Sequence, residues 1–255
     1  MTTETVKFHI ENHTAFIILN RPEVHNAVNA EMMHELETVL DVIEANKELF
    51  CIILTGAGSE SFCAGGDLKY FATLKTGVAG KEMSLRMQNI LKRLWNGKIP
   101  VIAAVNGRAL GGGCEILTAC HLRIATSTAT FAFRQAANGI VTGWGGGVRL
   151  FQQISKSQAM RLLLMAEKID AKEALKIGFI DKIIESPQLM NEAKRAANKI
   201  CQNSENAIQK ILELKRIIDQ GDINRAIEFE TNAFADLWDG NHFRNFIRGY
   251  IENKG

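Results

Sequence analysis

Two glycine clusters and one nearby carboxylate are the residues best placed to do chemistry. Residues 62 to 67 read Phe-Cys-Ala-Gly-Gly-Asp, and residues 107 to 115 read Gly-Arg-Ala-Leu-Gly-Gly-Gly-Cys-Glu. Glycine lets a backbone approach a ligand closely and aim its N–H groups at it. The second cluster also opens a helix, whose positive dipole end favours negative charge. Two such loops would supply two main-chain donors to one developing oxyanion. The competing reading is that they are tight turns which let strands and helices pack. Glu115 falls in the first turn of the second helix, either as a proton-transfer group or as a carboxylate that complements the helix dipole. Neither cluster has the spacing of a Walker loop or a dinucleotide-binding fingerprint.

The elements that must carry these loops can be read from apolar periodicity. Thr14 to Leu19, Cys51 to Thr55 and Val101 to Val105 are short runs that end at turn residues, as buried strands do, and Leu122 to Ala125 is a fourth candidate. Met33, Leu36, Leu40 and Ile43 recur at helical spacing, and Glu82 to Trp95 is a second helical segment. This alternation predicts an α/β fold with a parallel sheet wrapped by helices. After Gly143 the pattern is helical, with only Asp181 to Ile184 reading as a strand. Ile208, Ile211, Leu214 and Ile218 form a stripe expected to pack on its own domain. The domain expectation is a core over residues 1–195 and a helical region over 196–255.

In order along the chain, Leu19-Asn20-Arg21-Pro22, Asn26-Ala27-Val28, the two glycine loops, the strand Ile99 to Gly107 and Trp144-Gly-Gly-Gly-Val-Arg-Leu150 resemble the crotonase, or enoyl-CoA hydratase/isomerase, family from about residue 5 to residue 250. The resemblance implies a spiral of ββα units with a carboxy-terminal helical region that builds homotrimers, often paired as hexamers. It implies an acyl-CoA substrate, with coenzyme A as part of that substrate and no separate cofactor or metal. By the same match, Ala64 and Gly112 would donate N–H groups to the thioester oxygen, each lowering the barrier by about 3 to 4 kcal/mol. Gly65, Gly66, Asp67, Leu68, Gly111 and Trp144 would line the acyl and pantetheine channel. Asp67 serves equally as the N-cap of a helix from Leu68 to Leu74. Arg21 is the matching cation for CoA, with Lys69, Lys98 and Lys254 as lesser candidates.

Glu115 matches the first catalytic glutamate of the family's hydratases. The second should stand four residues before Gly139, where this sequence has Gln135. An amide cannot take or give a proton at neutral pH, and losing a general acid or base costs about 10² to 10⁴ in rate. A one-carboxylate site suits reactions in which the enolate arises without base abstraction, such as decarboxylation of an alkylmalonyl-CoA. Gly143-Trp144-Gly-Gly and Leu237-Trp238-Asp239-Gly240 look more like the decarboxylases of the family. Trp144 occupies the place where dehalogenase relatives carry an aspartate. Thr142 stands where a proline is usual, and His121 stands where an aspartate is usual and reads as a local structural substitute rather than a base. Three readings follow: an enoyl-CoA hydratase/isomerase, an alkylmalonyl-CoA decarboxylase, or a non-catalytic acyl-CoA binder or scaffold. Phe243 and Phe246 would cover an adenine or acyl group of a neighbouring subunit, or build a helix core.

Composition narrows the classes. The 255 residues are 46% hydrophobic and 23% charged, ample for a globular core. Thirty basic against 28 acidic side chains give a net charge of +2, which argues for no nucleic-acid or membrane-surface partner. No apolar run approaches the roughly 20 residues that span a bilayer. The amino end lacks the layout of a secretory leader, so a cytoplasmic location is expected. Cys51, Cys63, Cys114, Cys120 and Cys201 include no Cys-x-x-Cys pair and are expected to be reduced, mostly buried thiols.

Overall fold

The computed structural model describes residues 4–238 and 240–252. The chain divides into two compact units, Met1–Asn198 and Lys199–Gly255. In chain order the first unit contains β1 (Val6–Glu11), β2 (Thr14–Leu19), α1 (Ala30–Ala45), β3 (Cys51–Gly56), β4 (Ser61–Cys63), α2 (Leu68–Phe71) and α3 (Gly77–Trp95). It continues through β5 (Val101–Val105), β6 (Arg108–Leu110), α4 (Gly112–Thr118), β7 (Leu122–Thr126), β8 (Thr130–Ala132), α5 (Gly146–Gln153) and α6 (Lys156–Met165). β9 (Ile169–Asp170), α7 (Ala171–Lys176) and β10 (Lys182–Ile184) follow, and α8 (Leu189–Cys201) runs across the boundary at Asn198.

Two sheets are present. The larger has the order β1-β2-β3-β5-β7-β10, and the smaller β4-β6-β8-β9. In the larger sheet β2, β3, β5, β7 and β10 pair in parallel, and β1 adds an antiparallel edge through a hairpin with Phe8 opposite Ile17. Three times over, a strand of the larger sheet is followed at once by a strand of the smaller one: β3 by β4, β5 by β6, β7 by β8. Helices close each turn, which is the spiral of ββα units. The single parallel sheet predicted from periodicity is therefore two sheets, each with one antiparallel pair.

All five residues of β5 are buried, as expected for a strand covered on both faces. α1 packs Met33, Leu36, Leu40 and Ile43 into the same core as Met87, Ile90, Leu91 and Leu94 of α3. Polar side chains fix where these helices start. Asn29 accepts from the Met32 N–H at α1, and Thr76 accepts from the Ala79 N–H at α3.

The second unit holds α9 (Glu205–Asp219), α10 (Ile223–Trp238) and α11 (Asn241–Glu252). The stripe expected to be covered on α9 is not: Ile211 and Ile218 are exposed, and the buried residue of that helix is Ile217. Ile227, Phe234, Trp238 and Phe246 are exposed as well. No helix among the described residues is long and apolar enough to cross a membrane.

Candidate active site

β4, β6 and β8 run parallel and adjacent, so their carboxyl ends deliver residues 64–67, 111–115 and 133–135 to one edge of the smaller sheet. Ligands of α/β folds commonly bind at such an edge. A cavity of about 290 Å³ lies here, with Ala64, Gly66, Gly111, Gly112, Glu115 and Gln135 in its wall. Leu68, Gly143 and Trp144 also border it.

Upstream residues clamp the first loop in place. The buried Asn26 side chain accepts from the Arg21 N–H and donates to the Ala57 and Ser61 carbonyls. Val28 then pairs with the loop in both directions, its N–H to the Gly65 carbonyl and its carbonyl from the Asp67 N–H. Ala64 donates its N–H to the His25 carbonyl at 2.9 Å. This corrects the expectation that Ala64 supplies a donor to a ligand, because that amide is already engaged. Among the described residues, the N–H of this loop that has no partner is that of Gly66, two residues on.

Gly112, at the first position of α4, has no intrahelical partner for its N–H either. A Cβ on Gly112 would collide with the Trp144 ring, so glycine is required for the loop and the indole to meet. Gly111, with φ +52°, turns the chain into the helix. A Cβ built on Gly65 would lie 2.8 Å from the Gly112 nitrogen, which measures how closely the two glycine loops approach.

Glu115 is 2% exposed. Its Oε1 accepts from Gln135 Nε2 at 2.9 Å and the Gly143 N–H at 3.3 Å, and its Oε2 from the Trp144 N–H at 2.7 Å and the Gly146 N–H at 2.9 Å. Burial pushes its carboxyl above the usual carboxylate range, outweighing these four bonds, which favour the anion. Arg149 fixes the turn that supplies three of the donors. Its Nη2 donates to the Trp144 and Glu115 carbonyls, and its Nε to Thr118 Oγ1. Burial brings this guanidinium down to about 10. Gln135 is 7% exposed, and its Oε1 is buried with no hydrogen-bond partner.

Other expected residues lie elsewhere. The Arg21 guanidinium donates to the Ala27 carbonyl at 2.6 Å and to Asp67 Oδ2 at 2.8 Å, so it braces the loop rather than facing the cavity. Asp67 Oδ1 accepts from the Lys69 and Tyr70 N–H groups and caps α2. Burial works against its charge, but the bonds from Arg21, Tyr70 and Lys69 hold its carboxyl below the usual range. Arg21, Gly65 and Asp67 are absent from the cavity wall, as are Lys69 and Lys98, and Lys254 lies outside the described residues. His121 Nδ1 accepts from the Val101 N–H, and its ring stacks on Trp95, a structural placement. Phe243 and Phe246 border a separate cavity of about 470 Å³ within the second unit.

Four of the five cysteines are buried, and burial raises Cys63 and Cys120 to about 12. No cluster of three or more metal-ligating side chains exists among the described residues. Sequence reasoning missed Phe71, Met83, Leu110, Arg134, Ile140 and Val141 in the cavity wall. The available signal was nearness to the glycine loops and Gln135 along the chain, which Met83, within α3, does not have.

Comparison with known proteins gives the family. The family profile described as enoyl-CoA hydratase/isomerase matches residues 9–255. The chain is 38% identical over 247 residues to a short-chain-enoyl-CoA hydratase of Clostridium acetobutylicum, covering 96% of this chain and 93% of that protein. It is 33% identical over 235 residues to a crotonyl-CoA hydratase of Syntrophomonas wolfei, covering 92% and 90%. Among solved structures, an enoyl-CoA hydratase from Bacillus anthracis superposes with a TM-score of 0.92 at 28% identity, covering 98% and 96%. DspI of Pseudomonas aeruginosa superposes with a TM-score of 0.92 at 29% identity, covering 98% and 95%. With the spiral fold, the ordered motifs and a profile match over nearly its whole length, this chain belongs to the crotonase, or enoyl-CoA hydratase/isomerase, family.

Proposed function

We propose that the cavity binds an acyl-CoA thioester with its carbonyl oxygen between the N–H groups of Gly66 and Gly112, and that Glu115 transfers the proton. One observation carries this reading: two partnerless amides from separate loops border the same small cavity as a buried carboxylate. Fixed donors of this kind are worth about 3 to 4 kcal/mol each as charge moves onto the oxygen. The first reaction supported is hydration of a short 2-enoyl-CoA, in keeping with the names of the Clostridium and Syntrophomonas relatives. Water adds to the β-carbon and yields a proton to Glu115, the electron pair reaches the thioester oxygen, and Glu115 returns the proton to the α-carbon. Gln135, bonded to Glu115, holds water or substrate without exchanging protons.

Gln135 specifically favours a second reading, decarboxylation of an alkylmalonyl-CoA. The bond to the departing carbon dioxide breaks, its electrons form the enolate held by Gly66 and Gly112, and water or Glu115 protonates the α-carbon. Crotonyl-CoA, a 3-enoyl-CoA and ethylmalonyl-CoA, each offered to the wild type and to Glu115→Gln, separate the reactions. Rapid hydration of crotonyl-CoA sinks the decarboxylase reading, and carbon dioxide release from ethylmalonyl-CoA alone sinks the hydratase reading. Binding of all three without turnover leaves an acyl-CoA binder. The exposed apolar side chains of α9, α10 and α11 support assembly as a homotrimer or hexamer, and a cytoplasmic location is part of the same proposal.

A further inference from the structure

Only two residues in the cavity wall carry charge, Glu115 and Arg134. Four hydrogen bonds satisfy the Glu115 carboxylate. Arg134 has no acidic partner among the described residues, and its single side-chain hydrogen bond runs from Nη1 to the Ala166 carbonyl at 2.9 Å. Most of its donors are therefore uncommitted. The rest of the wall is largely apolar, with Leu68, Phe71, Met83, Leu110, Ile140 and Val141. Arg134 is exposed at the rim of this wall, with Nη1 on the Ala166 carbonyl outside it, and a guanidinium whose other donors are uncommitted fits a planar oxyanion, which it can grip with two parallel N–H bonds.

We infer that Arg134 is a specificity-determining residue that selects acyl groups bearing their own carboxylate, such as malonyl-, succinyl- or glutaryl-type thioesters. The inference rests on the acyl-CoA reading above. Arg134 borders the same cavity as Gln135, whose amide touches Glu115, and the proposal sets it toward the acyl end. CoA phosphates are removed from the thioester by the whole pantetheine arm. Gln135 adds a second reason. A glutamate there would set another negative charge against a substrate carboxylate, whereas the neutral amide does not repel it.

The test measures dissociation constants of malonyl-, succinyl- and glutaryl-CoA against butyryl-CoA, for the wild type, Arg134→Gln and Arg134→Lys. The same acyl groups on pantetheine, which lacks the phosphates, form a second arm. The wild type is expected to prefer at least one carboxylated ester. Arg134→Gln is expected to cut that preference about tenfold or more, the worth of a hydrogen bond to a charged group, in both arms. Arg134→Lys keeps the positive charge and should retain part of the preference, and butyryl-CoA binding shows that each variant is folded. A preference unchanged in Arg134→Gln overturns the inference. So does equal weakening of all CoA esters with the pantetheine esters unaffected, which would mark a phosphate contact. If the wild type binds butyryl-CoA but no carboxylated ester, this inference alone fails; if it binds no CoA ester, the acyl-CoA reading fails with it.

Discussion

At the scale of single residues, the site turns on a carboxylate that is buried and hydrogen-bonded at once. Burial dominates, so Glu115 keeps its proton to a higher pH than the ordinary value of 4.5. The acidic limb of a pH profile of kcat/KM is therefore expected above 4.5, since in the proposed hydration the ionised form accepts the water proton. A limb at or below 4.5 would contradict this. Glu115→Gln is expected to lower turnover by about 10² to 10⁴, read in a steady-state assay with the preferred ester. Gln135→Glu would place a second carboxylate beside Glu115, where the amide now sits 2.9 Å away. Like charges so close raise the proton affinity of one of them and create an acid–base pair. Crotonyl-CoA hydration by that variant should rise at least about tenfold, the lower end of what a general acid contributes being larger still.

At the scale of elements, the glycine loops are held by contacts that leave little slack. Gly112→Ala drives a methyl group into the Trp144 ring, and such overpacking costs about 1 to 3 kcal/mol. Urea unfolding should show this loss, and Gly112→Ala/Trp144→Ala should recover part of it. The Arg21–Asp67 pair ties the segment after β2 to the start of α2 at 2.8 Å, with both side chains largely buried. Asp67→Asn strands the guanidinium and is expected to cost roughly 3 kcal/mol. The pH dependence has a definite sign. The Asp67 carboxyl lies below its ordinary value of 3.8, so its contribution is present above that value and is lost as pH falls through the depressed one. Wild-type stability should drop more steeply below pH 4 than that of Asp67→Asn, which lacks the titrating group.

At the scale of the whole molecule, the helices of the second unit leave Ile211, Ile218, Ile227, Phe234, Trp238 and Phe246 exposed. Apolar surface on this scale marks an interaction site. Light scattering is expected to give the mass of three or six chains, and Trp238→Glu with Phe246→Glu to reduce it. A wild-type monomer at micromolar concentration would refute the assembly. The long elements were legible in the sequence: β2 and β5 fall on the residues their periodicity indicates, and α3 and α9 differ only at their ends. The smaller sheet was not. β4, β6 and β8 are three residues each, too short to show any period, yet their parallel pairing brings the site together.

The sequence by itself determined the family and the alternation of strands and helices, and it singled out Glu115, Gln135 and the two glycine loops as the residues of the proposed site. Residue types and their order carry that much, because close backbone approach and proton exchange each demand particular side chains. Only the tertiary structure decided which amide in the first loop is available. The resemblance pointed to Ala64, but the His25 carbonyl accepts from that amide, while the Gly66 amide two residues on has no partner among the described residues. It also turned Arg21 from a CoA cation into a brace, settled Asp67 as the helix cap that the sequence already offered, and placed Arg134 on the cavity wall. A hydrogen bond between distant segments depends on where neighbouring strands end, and strand pairing across a sheet is set by the packed core as a whole.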